Sequence, residues 1–167
     1  VCIALFVGLD GLLVERPWLQ SSPAAFVRLI RDPQELPRPY FTKRNVYEIG
    51  DEEGCACGFH APGIGMYDSN DDWEMAKLAK AKRSIDWLRA SLVEAGQADA
   101  AFELYVGDVD ELATPTETRQ IALQQLVPKS FSIEDYVAES GKEPGTMYSP
   151  SWDVESLKGP LWTVLGE

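Results

Sequence analysis

The strongest constraint on the fold of this chain lies in residues 71–95. Met75, Leu78, Ala81, Ile85, Leu88 and Leu92 recur three or four positions apart, which puts them on one side of an α-helix. Lys77, Lys80, Lys82, Arg83 and Arg89 fill the rest of its circumference. Asp71, three residues ahead of Glu74, suits an N-terminal cap, and Gly96 marks the expected far end. A helix with one apolar stripe has to bury that stripe against a second layer, so the remaining segments should supply a sheet.

They read as strands. Cys2-Ile3-Ala4-Leu5-Phe6-Val7 is an unbroken apolar run, the pattern of a strand covered on both faces. Val46-Tyr47-Glu48-Ile49-Gly50 reads as a strand, Asp51-Glu52-Glu53-Gly54 as a polar turn, and Cys55 to Phe59 as the returning strand of a hairpin. Ala101 to Val106 and Leu161 to Leu165 are further strands. The prolines between residues 33 and 39 demand a loop. Ser22-Pro23 can cap a helix, but Phe26 to Ile30 has strand propensity, so this element stays open, as do residues 121–127 and 133–137. Residues 140–160 are rich in Gly, Pro and Ser and read as irregular. The expectation is a single α+β domain over residues 1–167, a mostly antiparallel sheet with one long amphipathic helix packed on it.

Charge narrows the partners. Fifteen Lys plus Arg against twenty-seven Asp plus Glu give a net charge of −12, which repels phosphate backbones and anionic membranes. Nucleic acid is therefore not an expected partner, and no apolar run approaches the ~20 residues that cross a bilayer. Three cysteines are too few and too odd in number for a disulfide scaffold, so a reducing cytoplasm is the expected compartment. A protein partner or self-association fits this composition, with Tyr148 and Trp152 as candidate exposed apolar groups.

The chemistry concentrates in Gly54-Cys55-Ala56-Cys57-Gly58-Phe59-His60, which holds two of the three cysteines and the only histidine. Cys2, Cys55, Cys57 and His60 would make a set of four donors of the kind tetrahedral zinc favours. A single residue between two cysteine ligands needs a sharp local curl, which Gly54 and Gly58 can allow. On an extended strand, Cys55, Cys57 and Phe59 share one face and His60 points to the other. That geometry favours the two thiols as core residues. Thiol chemistry is the third reading, and the acidic run Asp51-Glu52-Glu53 opposes it by raising a neighbouring thiol pKa.

Other motifs fall short. Gly8-Leu9-Asp10-Gly11 is similar to the Asp-x-Asp-Gly loop of haloacid-dehalogenase-type phosphatases, but Gly8 stands where that family has its nucleophile, so Asp10-Gly11 reads as a turn. The run from Asp68 lacks the central Gly and the terminal Glu of an EF-hand loop. There is no Gly-rich phosphate loop followed by Lys, and no serine in a nucleophile-elbow setting. Nothing here selects a catalytic residue. The opening strand, Val46-Tyr47-Glu48-Ile49-Gly50 and Gly54-Cys55-Ala56-Cys57-Gly58-Phe59 together resemble a group of short bacterial proteins that carry Gly-Cys-Gly-Cys-Gly-Phe, with Ala56 in place of the middle Gly. That resemblance implies a bacterial cytoplasmic protein and transfers no activity.

Overall fold

The computed structural model describes residues 2–21, 24–59, 70–128, 132–134 and 154–166. The strands are β1 (Ile3–Leu9), β2 (Phe26–Leu29), β3 (Asn45–Gly50), β4 (Ala101–Asp108), β5 (Thr118–Ala122) and β6 (Leu161–Leu165). They form one six-stranded sheet in the order β2-β3-β1-β4-β6-β5, antiparallel except for the β5 and β6 pair. The long helix α1 spans Asp72–Ala98, and a single turn, α2, spans Leu123–Leu126. This is the expected α+β domain.

Strand β1 lies at the centre of the sheet, paired with β3 on one side and β4 on the other. Its alternate residues serve two cores. Ile3, Leu5, Val7 and Leu9 join Leu88, Leu92 and Ala95 of α1 in the larger cluster, while Ala4 and Phe6 join Ile30, Phe41, Val46 and Tyr105 on the opposite face. Burial on both faces accounts for the unbroken apolar run, because no position of a two-sided central strand meets water.

The helix begins as its cap predicts, with the Asp71 carboxylate accepting the Trp73 and Glu74 N–H groups. It ends later. Gly96 lies inside the helix, and Ala98 is the last helical residue. A Cβ on Gly96 would stand 2.5 Å from Leu123 Cδ2, so this glycine admits a neighbouring side chain and stops nothing. The stop comes from Asp99, whose carboxylate accepts the Asp10 N–H (2.9 Å) and pairs with Lys43 (3.0 Å). Lys43 also pairs with Asp10, so that carboxylate is committed to tying the end of β1 to the end of α1.

Two open segments resolve: residues 26–29 form strand β2, and residues 121–127 split into the end of β5 and α2. The returning strand expected over Cys55 to Phe59 does not form. Both edges of β3 are already taken, for Ile49 pairs with Leu5 of β1 and with Val27 of β2, so a strand folding back has no edge to join. The chain makes a turn instead, then a short 3-10 helix at Cys57–Phe59. Of the irregular tail, Val154–Leu157 is a 3-10 turn whose Val154 and Leu157 enter the core, and Tyr148 and Trp152 lie outside the described residues. Among the described residues, no helix is long and apolar enough to cross a membrane.

Candidate metal centre

The antiparallel register of β1 and β3 determines where the cysteines meet. Leu5 faces Ile49, so the chain leaving β3 at Gly50 runs past the start of β1, where Cys2 lies. It then reverses. The Asp51 N–H donates to the Cys55 carbonyl (2.8 Å), the Gly54 N–H donates to the Asp51 carbonyl (3.1 Å), and Gly54 turns the corner with a φ of +81° that only glycine adopts without strain. One bond to the strand follows, from the Ala56 N–H to the Ile3 carbonyl (2.8 Å), and the chain tightens into the 3-10 turn. Ala56 and Phe59 are fully buried beneath it and hold the loop to the core.

This curl gathers the thiols. The sulfurs of Cys2, Cys55 and Cys57 all lie within 4.8 Å of one another. All three are free, and they grade from exposed Cys2 through half-buried Cys57 to Cys55, which is 9% exposed. Backbone groups already point at two of the sulfurs: the Ile3 N–H donates to Cys57 Sγ and the Cys57 N–H to Cys55 Sγ, each at 3.3 Å. Such N–H to sulfur bonds favour the thiolate that a metal requires. A tetrahedral zinc with bonds of about 2.3 Å places its sulfurs about 3.8 Å apart, so closing the triangle takes shifts of about an ångström.

Without a metal Cys55 is a poor nucleophile. Burial pushes the Cys55 thiol up to about 12, helped by the neighbouring Cys57 side chain and by the Asp51 carboxylate and opposed by the Cys57 N–H, so Cys55 is a neutral thiol at physiological pH. Asp51 itself is pushed upward, chiefly by burial. It is 1% exposed; its Oδ1 accepts the Glu53 N–H (2.9 Å), and its Oδ2 has no hydrogen-bond partner. That oxygen rests against Gly58, where an added Cβ would lie 1.5 Å from it. Glu52 and Glu53 point outward instead and pair with Lys80 of α1.

Three of the four candidate ligands thus come together, and His60 lies outside the described residues. The expectation that Cys55 and Cys57 share one face of an extended strand is corrected by the 3-10 turn. Asp51, in sequence one acid of a polar turn, joins the site without having been singled out by the sequence pattern. The available signal is a carboxylate four residues before a Cys-x-Cys pair with a Gly on either side. Beyond the loop, Trp18 crosses Gly54 and donates its Nε1–H to the Glu52 carbonyl (3.1 Å), closing one end of a cavity of about 600 Å³ lined also by Phe26, Arg28 and Arg31. Compared with protein-family models, with curated proteins and with solved structures, the chain matches none.

Proposed function

We propose that this protein binds a thiophilic metal ion, with zinc the first candidate, through the thiolates of Cys2, Cys55 and Cys57. One observation carries the reading: three sulfurs from two segments far apart in sequence converge within 4.8 Å, and two of them accept backbone N–H groups, one from β1 and one from the turn itself. Core packing alone does not require the exposed Cys2 to join the group. The neutral state of Cys55 weighs against a nucleophilic or redox role for that residue, whereas a metal supplies the charge that draws the proton off. The test is elemental analysis of protein purified under reducing conditions, without chelator or a histidine tag. About one metal per chain, lost in Cys55→Ser, is the expected result. A metal-free protein that takes up neither zinc nor cobalt in titration refutes the proposal.

A second reading, self-association without catalysis, rests on the segment after β1. Leu12 and Val14 are 74% and 62% exposed, and Trp18 and Leu19 in the same segment are exposed as well. Light scattering across a concentration series tests it. A dimer dissociated by Leu12→Ser with Val14→Ser supports this reading, and a strict monomer removes it.

A further inference from the structure

Building on the three-cysteine site, we infer that Asp51 supplies the site's oxygen: through one bound water it holds the fourth position of a divalent cation, and so makes the site select a divalent over a monovalent thiophilic ion. Buried polar atoms nearly always have a partner, and an orphan calls for an ion or a water that completes it. Among the described residues only three buried side-chain polar atoms are unpartnered, and Asp51 Oδ2 is the only carboxylate oxygen of the three. The other two, on Trp87 and Ser91, belong to α1.

The placement of this carboxylate is specific. The Asp51 backbone is bonded to Cys55 and Gly54, at the mouth of the turn that carries the thiols. Gly58 leaves room for Oδ2 beside the Cys57–Phe59 turn. Asp51 is not among the donors that lie within 4.8 Å of one another, which makes an intervening water the fitting link. Among the described residues no cation pairs with it directly: Lys80, whose charge reaches it, makes its ion pairs with Glu52 and Glu53 on the outer side.

Two metals of the thiophilic class respond differently to such a group. Zinc and cobalt in the divalent state seek four ligands, so three thiolates leave a position for water that a buried carboxylate can orient. Monovalent copper is satisfied by thiolates alone and carries half the charge for the carboxylate to attract. Asp51 therefore strengthens one binding equilibrium and leaves the other nearly untouched.

The experiment compares wild type with Asp51→Asn, an isosteric change, after circular dichroism confirms that both are folded. Zinc affinity is measured by chelator competition, cobalt geometry by its visible absorption, and monovalent copper affinity by competition with a copper(I) chelator under argon. The expected result is zinc binding weakened about 10–100-fold with a shifted cobalt spectrum, while copper affinity stays within about twofold. Equal weakening of both metals would reduce Asp51 to shaping the loop and overturn the inference, as would no change in either. A cobalt spectrum lost in His60→Ala but intact in Asp51→Asn would give the fourth position to His60 and overturn the inference as well. A wild-type protein that binds none of these ions defeats the three-cysteine site itself, a result distinct from any change confined to Asp51.

Discussion

Gly58→Ala should expose how tightly the thiol turn is built around Asp51. The new Cβ falls 1.5 Å from Asp51 Oδ2 and 2.6 Å from its Cγ, far inside contact distance, but 3.3 Å from its Cβ. The carboxylate cannot simply rotate away, since its Oδ1 holds the Glu53 N–H and its backbone is bonded to both Cys55 and Gly54. Relief comes from breaking that side-chain bond or from lifting the Cys57–Phe59 turn off the core. Either route is an overpacking of the kind that costs about 1–3 kcal/mol. In an Asp51→Ala background the clashing atoms are gone, leaving the tolerable 3.3 Å approach. Gly58 needs no positive φ, so alanine there would stiffen the unfolded chain and return about 0.4–1 kcal/mol. The two changes should therefore couple by about 2 kcal/mol. Urea denaturation of the four metal-free proteins, followed by tryptophan fluorescence with chelator and reductant present, measures the cycle. Additivity to within about 0.5 kcal/mol would show that Asp51 and Gly58 do not touch and would refute the packing argument.

Further expectations concern the thiols, the core anchor and the helix. In native metal-free protein at about pH 8, iodoacetamide should label exposed Cys2 first and Cys55 last, with all three reacting in denaturant; mass spectrometry after a timed quench reads the order, and early labelling of Cys55 contradicts its burial. Because folding raises the Cys55 thiol to about 12, its contribution to stability is fully present below the unfolded thiol value and is lost as pH rises towards 12. The metal-free wild type should accordingly lose more stability than Cys55→Ala between about pH 9 and 12, and equal slopes would refute this. Phe59→Ala, which empties a fully buried site under the turn, should cost about 3–5 kcal/mol in urea denaturation and abolish metal uptake with it. Asp71→Ala removes an acceptor from two helix N–H groups and should cost about 0.5–2 kcal/mol while leaving metal affinity unchanged.

What could be read from the chain divides along the range of the interactions involved. The helix is legible because its stripe and its Asp71 cap are properties of neighbouring residues, and β1 is legible because burial on both faces leaves no polar position. Gly96 misleads because a glycine that admits Leu123 looks the same in sequence as a glycine that ends a helix. The cysteine turn misleads for a longer-range reason. Whether the segment after β3 returns as a strand depends on whether β3 has a free edge, and that depends on residues 26–29, whose strand character stays open in the sequence. Burial of Asp51 is equally hidden, since in sequence it is the first of three acids and only the fold separates it from the outward-facing Glu52 and Glu53.

The same topology explains why a chain with so few soft ligands can concentrate them. In an antiparallel pair the residues after one strand lie beside the residues before the other, so once Leu5 faces Ile49 the segment following Gly50 has to arrive at Cys2. An uncurled continuation would carry Cys55 and Cys57 onward past the end of the sheet. The turn at Gly54 brings them back, and the Ala56 to Ile3 bond fixes the return. The thiol cluster is thus assembled by pairing β1 with β3, and Cys2 has no reason to be near Cys55 and Cys57 in the unfolded chain. Any ion that binds them stabilises that pairing by mass action. Zinc should therefore raise the unfolding midpoint and slow hydrogen exchange most in β1 and β3, and protection confined to residues 51–59 would mean that the site is a local loop feature, uncoupled from the sheet.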